Sequence, residues 1–242
     1  MRFDWSEYEA VLFDLDGVLT STAALHAAAW KRTFDAVLRE LKGPDEEPFD
    51  IDADYRTYVD GRPRYDGVAA FLASRGIELP WGDPSDEPGI DTVCAIGNRK
   101  NELFNAVLAE DGVEVFPGSL ALLDHLEELG VRCGVVSSSK NAGPVLEAAG
   151  IRHRFEVVVD GIVSAEEGLA GKPAPDAFLE AARRMNVTPE RCVVVEDAVS
   201  GVEAGVGGYF GAVVGVDRHG DPKALRRAGA DVVVSDLGEL VP

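Results

Sequence analysis

The stretch that most constrains this chain is Val11-Leu12-Phe13-Asp14-Leu15-Asp16-Gly17-Val18-Leu19-Thr20. Val11 to Phe13 are apolar without a polar break, which predicts the end of a strand buried on both faces, as in a parallel sheet. Two aspartates follow, two residues apart. Carboxylates are costly inside a core unless paired or bound to a metal. They therefore belong at the strand's C-terminal end, where open α/β sheets place their ligands. On an extended chain Asp14 and Asp16 share a face and can address one site, and Gly17 lets the chain turn away. A strand that simply ends in an Asx-type turn accounts equally well for a bare D-x-D-G.

The rest of the chain supplies a rhythm. Polar residues 1–10 read as a lead-in. Ser21 or Thr22 can cap a helix over Ala23–Leu41, with His26 and Trp30 on one face. Residues 42–54 hold Gly43, Pro44, Pro48 and six acidic residues, and predict a mobile, solvated loop. Short helices are expected over 54–59 and 65–75, the second ending at Gly76. Residues 79–89, with Pro80, Pro84 and Pro88, form a second loop, and Asp91 or Thr92 starts a long helix to about Glu110.

From Val115 strands and helices alternate. Strands are predicted over 131–136, 155–159, 192–195, 212–216 and 231–234. Helices are predicted from Pro117 to Gly130, through 145–149, and over 175–186, 199–206 and 222–228. This alternation predicts a parallel sheet with helices on both faces. The expected organisation is a Rossmann-like α/β core of 1–21 and 111–242, with an inserted α-helical cap domain of 22–110.

The 242 residues carry a formal net charge of −20. Neither nucleic acid nor an anionic membrane is drawn to such a surface. A small phosphorylated ligand remains compatible, because local cations and a metal can reverse the field in one cleft. No apolar run is long enough to span a bilayer, and the N-terminus lacks an apolar signal core, so the expected location is cytoplasmic. Cys94, Cys133 and Cys192 have no metal-type spacing, and Cys133 and Cys192 read as buried small residues.

Four further stretches fall at predicted strand ends. Ser137-Ser138-Ser139-Lys140-Asn141 offers hydroxyls and amides suited to a phosphate, or else a Ser-rich capped turn. Gly171-Lys172-Pro173-Ala174-Pro175-Asp176 holds Lys172 in a proline-fixed loop, or else an exposed lysine before a helix. Val193–Val195 then Glu196-Asp197 repeats the opening logic. Ser200-Gly201-Val202-Glu203-Ala204-Gly205 is better read as a helix start whose small residues permit close packing. Two acidic pairs on two strand ends can hold Mg²⁺, which prefers hard oxygen ligands.

Taken in order, D-x-D-G, S-S-S, K-P-x-P-D and E-D resemble the four motifs of the haloacid dehalogenase superfamily. The D-L-D-G-V-L-T-S-T-A-A-L-H-A-A-A-W-K run, S-S-S-K-N, Gly61-Arg62-Pro63-Arg64 and Arg99-Lys100-Asn101 are similar to the β-phosphoglucomutase family within it. The resemblance departs at the two loops of the cap, 42–54 and 79–89, which are longer than the family pattern. It implies a set of roles. Asp14 is the nucleophile and Asp16 the general acid/base, while Lys172 and Ser137 bind the transferring phosphoryl group. Mg²⁺ is held by Asp14, the Asp16 carbonyl and Glu196/Asp197. Arg64, beside Gly61, clamps a second phosphate, helped by Ser138, Ser139, Lys140 and Asn141. Thr22, His26, Trp30 and Lys100 position Asp16 when the cap closes.

The implied activity is interconversion of β-D-glucose 1-phosphate and glucose 6-phosphate, with glucose 1,6-bisphosphate as activating phosphate donor. A sugar-phosphate phosphatase of the same fold is the alternative. A non-catalytic scaffold is disfavoured, because the carboxylates and the lysine are all present. The expected partner is a small phosphorylated sugar, with no nucleic acid or membrane, and the expected state is a monomer.

Overall fold

The computed structural model of the chain describes residues 3–218 and 220–242, apart from the side chains of Ala23, Ala109 and Asp111. Its elements run β1 (Ala10–Phe13), α1 (Thr22–Lys42), α2 (Arg64–Ser74), α3 (Val93–Asp111), α4 (Pro117–Leu129), β2 (Arg132–Val136), α5 (Ala142–Ala148) and β3 (Val157–Val159). They continue with α6 (Gly161–Glu167), α7 (Asp176–Arg184), β4 (Cys192–Glu196), α8 (Val199–Gly207), β5 (Ala212–Val216), α9 (Pro222–Ala228) and β6 (Val232–Val234). The chain divides into two compact units: Met1–Ser21 with Val113–Pro242, and Thr22–Gly112.

The first unit is a six-stranded sheet, all parallel, in the order β3-β2-β1-β4-β5-β6. Every residue of β1, β4 and β5 is buried, as continuous apolar runs require when helices cover both faces. The order reverses direction at β1. Its neighbours are β2 on one side and β4 on the other, and a crevice forms at the C-terminal ends of strands at such a switch point. One face of the sheet packs Leu12, Val136 and Val194 with Phe178, Ala181 and Met185 of the α7 region.

The second unit is helical. Along α1, Trp30, Phe34, Val37 and Leu38 recur at helical spacing and face a buried cluster with Phe71, Leu72, Val93 and Ile96. The expected mobile loop 42–54 is corrected here. Phe49 is 1% exposed and packs against Phe34 and Phe71 at ring distances of 5.1 and 5.0 Å. Asp35 accepts from the Phe49 amide, and Arg75 pairs with Asp54 at 2.6 Å. One aromatic thus anchors an otherwise acidic segment. The short helix expected over 54–59 is a π-helix at Tyr55–Val59.

Three other expectations change. Within the polar lead-in, Trp5 is buried and its Nε1 donates to the Leu240 carbonyl, tying the two chain ends together; Met1 and Arg2 lie outside the described residues. β3 begins only at Val157, because Arg152–Arg154 form a 3₁₀ turn before it. Helix α6 was not expected. Asp160 caps it through the Ile162 and Val163 amides, and Gly168 ends it in the left-handed conformation. Among the described residues no helix is long and apolar enough to cross a membrane.

Candidate active site

The register of the sheet brings the acidic residues together. Phe13 lies level with Val135 and with Val195, so Asp14, Val136 and Glu196 reach the sheet's edge together. The Asp14 amide donates to Val195 O at 2.9 Å, extending the ladder by one residue. Lys172 enters this gap from the loop before α7. Its Nζ lies 2.5 Å from Asp14 Oδ1 and 2.5 Å from Glu196 Oε1, and it donates to the Val136 carbonyl at 3.4 Å. Asp14, Lys172 and Glu196 are all buried.

Burial is the largest influence on both Asp14 and Lys172. It pushes the Asp14 carboxyl well above the usual range; Lys172 opposes this, while Glu196 and Asp16 add to it. For Lys172 burial favours the neutral amine, but Asp14 and Glu196 together overcome it and hold the ammonium charged, with a raised pKa. Lys172 is thus the counter-ion that makes an ionised carboxylate at Asp14 tolerable in a dry site.

Glu196 is held on all sides. Oε2 accepts from the Asp197 and Ala198 amides at 3.0 Å each, and Oε1 accepts from Lys172. Its carboxylate also occupies the space a Cβ would take at Gly201, with Oε1 at 1.9 Å from that position. The small residues of α8 are therefore packing glycines, and Gly201 makes room for a carboxylate of the site. At Gly205 a Cβ would meet Val213 at 3.0 Å and Val194 at 3.2 Å, closer than ordinary van der Waals contact, so the helix lies tightly on the sheet.

The turn after β1 is equally constrained. Gly17 has φ +90°, its amide donates to Thr20 O at 2.8 Å, and Asp197 Oδ2 lies 1.9 Å from where a Cβ would stand. Asp16 is close enough to act electrostatically on Asp14. A divalent cation fits this donor set. The carboxylates of Asp14, Glu196 and Asp197 and the Asp16 carbonyl would supply hard oxygens; Lys172 engages one oxygen each of Asp14 and Glu196, and two amides engage the other Glu196 oxygen. Among the described residues no three acidic, histidine or cysteine side chains form a metal cage by themselves. Mg²⁺ takes one or two carboxylates and completes its shell with water and substrate oxygens.

Ser137 follows β2, and its amide donates to Val159 O. Its Oγ accepts from the Ser139 amide and the Ser139 Oγ accepts from the Asn141 amide, both at 3.1 Å. The loop is thus a chain of Ser-capped turns, and it is also level with the acidic strand ends. The start of α6 packs on it, since a Cβ at Gly161 would meet Ser138 O at 2.6 Å.

In the helical unit, Lys100 of α3 is 3% exposed. Its Nζ lies 2.5 Å from His26 Nδ1 of α1, and 5.1 and 4.8 Å from the Trp30 and Phe104 ring centroids. His26 stacks on Phe104 at 4.0 Å. Thr22, buried, begins α1, and Gly61 (φ +69°) turns the chain into α2. Arg64 donates from Nη2 to Asn101 Oδ1 at 2.8 Å. Burial lowers its pKa, opposed by Tyr65, and it makes no ion pair among the described residues. The structure thus joins His26, Trp30 and Lys100 in one cluster, and Arg64 and Asn101 in another.

Two features lie apart from this chemistry. A cavity of about 600 Å³ is lined by Arg132, Cys133, Arg154 and Glu156 at the N-terminal ends of β2 and β3. Its arginines are already paired with Glu156, Asp124 and Glu127. All three cysteines are buried, and burial pushes the Cys133 and Cys192 thiols up to about 12 despite nearby arginines, so neither is a nucleophile.

Comparison with known proteins agrees with this geometry. The family model for haloacid dehalogenase-like hydrolases matches residues 8–208. A β-phosphoglucomutase of Mycobacterium tuberculosis is 51% identical over 238 residues, covering 96% of this chain and 91% of its own. The crystal structure of a β-phosphoglucomutase from Clostridium difficile superposes with a TM-score of 0.77 at 27% identity, covering 96% of this chain and 93% of that one. CbbY from Rhodobacter sphaeroides, in complex with phosphate, gives 0.71 at 30% identity and 96% of each chain. The motifs on the strand ends, the sheet that aligns them and these relatives agree: the chain belongs to the haloacid dehalogenase superfamily and, within it, to the β-phosphoglucomutase-like family of phosphotransferases.

Proposed function

We propose that this enzyme is a β-phosphoglucomutase, interconverting β-D-glucose 1-phosphate and glucose 6-phosphate through β-glucose 1,6-bisphosphate and a phosphoaspartate at Asp14. The observation that carries the reading is the buried Asp14–Lys172–Glu196 cluster, with Asp16 two residues beyond. Lys172 favours the ionised form of Asp14 against its burial. A carboxylate oxygen of Asp14 attacks phosphorus, the bond from phosphorus to the sugar oxygen breaks, and the Asp16 proton passes to that oxygen. In the return step Asp16 takes the proton from the other sugar hydroxyl as its oxygen attacks the phosphoaspartate. Lys172 and Ser137 bind the phosphoryl oxygens. Mg²⁺ held by Asp14, the Asp16 carbonyl and Asp197, next to Glu196, would neutralise charge around the transferring group.

A mutase must also keep water from the phosphoaspartate and accept its substrate in two orientations. The reading gives those tasks to the helical unit, with His26, Trp30 and Lys100 acting on the setting of Asp16. Arg64 supports it as an anion clamp, because it is half-buried without a carboxylate partner among the described residues. Phosphorus NMR on β-glucose 1-phosphate, Mg²⁺ and a trace of glucose 1,6-bisphosphate tests the reading in one tube. Glucose 6-phosphate without comparable free phosphate is the expected result. Free phosphate as the main product would replace the mutase with a phosphatase.

A further inference from the structure

Arg218, in the loop after β5, belongs to none of the motifs, yet it reaches the first of them. Its Nε donates to the Gly17 carbonyl at 2.7 Å, and Nη1 donates to the Ser235 carbonyl at 3.1 Å. Its guanidinium carbon lies 3.8 Å from the centroid of the Phe116 ring. Phe116 is itself fixed to the segment after the D-x-D-G turn, since its amide donates to Leu19 O at 3.0 Å. Burial lowers the pKa of Arg218, and the carboxylates of Asp236 and Asp197 oppose that shift.

We propose that Arg218 is a positioning residue that fixes the Asp16–Gly17 turn, and with it the acid/base carboxylate of Asp16. The turn is held at three points. The Gly17 amide is bound by Thr20 O, its α-carbon lies against the Asp197 carboxylate, and its carbonyl is bound by Arg218. Only the third is a long side chain from a distant loop. Removing it frees the carbonyl of the Gly17–Val18 peptide, one peptide beyond the one that follows Asp16.

The guanidinium form matters. A planar fork can bind two carbonyls and stack on a ring at once, whereas an ammonium is a single point of attachment. Nη2 is buried with no hydrogen-bond partner among the described residues, an arrangement that itself costs stability. Joining the β5 and β6 loops would need only the Nη1 bond. The Nε bond to Gly17 adds nothing to that joint and acts on the catalytic turn.

This inference rests on the phosphotransfer reading of the strand-end site, but not on the identity of the sugar. Arg218→Met, which keeps the stem and removes the fork, is expected to lower kcat about 10- to 100-fold while KM stays within about threefold, the signature of a misplaced reacting group. Arg218→Lys is expected to fall between the two. Guanidinium ion added to Arg218→Ala is expected to restore part of kcat. Hydrogen exchange at the Gly17 amide is expected to accelerate in Arg218→Met while the β4 amides stay protected. Unchanged kcat, a loss confined to KM, or no rescue by guanidinium together with unchanged Gly17 exchange would each overturn the assignment. The exchange measurement needs no substrate. A wild-type protein inactive on glucose phosphates would therefore count against the sugar reading alone.

Discussion

The sheet unit buries Lys172 and the helical unit half-buries Arg64, and they treat these two cations in opposite ways. Lys172 lies between two carboxylates contributed by two other strands, and its charge is neutralised within the protein. Arg64 donates to the neutral amide of Asn101 on the neighbouring helix and lies 5.9 Å from the Tyr65 ring centroid, with no carboxylate partner among the described residues. A cation neutralised inside the fold serves the carboxylates around it. A half-buried cation without a carboxylate keeps its charge for a ligand. On the proposed reading, the difference separates the group that supports Asp14 as nucleophile from the group that would hold an external phosphate.

Four substitutions can break or sharpen that contrast. Lys172→Met should have the largest effect, because it leaves Asp14 and Glu196 buried without a counter-ion. A loss of about 3–5 kcal/mol of stability is expected by denaturant unfolding, with turnover reduced by about 10³-fold or more. Arg64→Ala should leave stability within about 0.5 kcal/mol and raise KM for the bisphosphate about 10- to 100-fold, as expected for one lost charged hydrogen bond. If Arg64→Ala unfolded the protein while Lys172→Met merely weakened binding, the contrast would be the wrong way round.

Gly201→Ala probes the carboxylate side of the Lys172 cluster from behind. The new methyl group must displace Glu196 from the place where Lys172 and two amides hold it. A drop in kcat of about tenfold is expected with KM nearly unchanged; full activity would show that Glu196 can move without consequence.

The smallest effect is expected at the surface. Arg183 and Arg184 bond to the Glu180 carboxylate and depress its pKa to about 2. Its stabilising contribution is therefore present above the ordinary glutamate value and is lost as pH falls toward about 2. Solvent screening limits it to about 1 kcal/mol or less. Glu180→Gln should lower the melting temperature slightly at pH 7 and not at all near pH 2.

The sequence reveals the strand-end site because two strong signals coincide there: runs of apolar residues and carboxylates that are costly to bury without a partner. Asp14, Asp16, Glu196 and Asp197 all announce themselves that way, and prolines frame Lys172. Features carried by single residues are hidden. Trp5 sits in a polar lead-in and Phe49 in an acidic loop, and composition outweighs one aromatic in each. Helix α6 is marked only by a capping Asp160 and a terminal Gly168. Arg218 has no local signal, because its partners, Gly17, Phe116 and Ser235, are each distant in sequence. Gly201 reads correctly as a packing glycine, but only the structure shows that it packs against a carboxylate of the site.

The central claim is that Asp14 carries the phosphoryl group. The direct measurement is peptide mass spectrometry after mixing the enzyme with Mg²⁺ and glucose 1,6-bisphosphate and quenching in acid. The account predicts a phosphoryl mass on the peptide containing Asp14, and none in Asp14→Asn. Turnover of the sugar phosphate with no phosphorylated Asp14, or with phosphate on another residue, would contradict it.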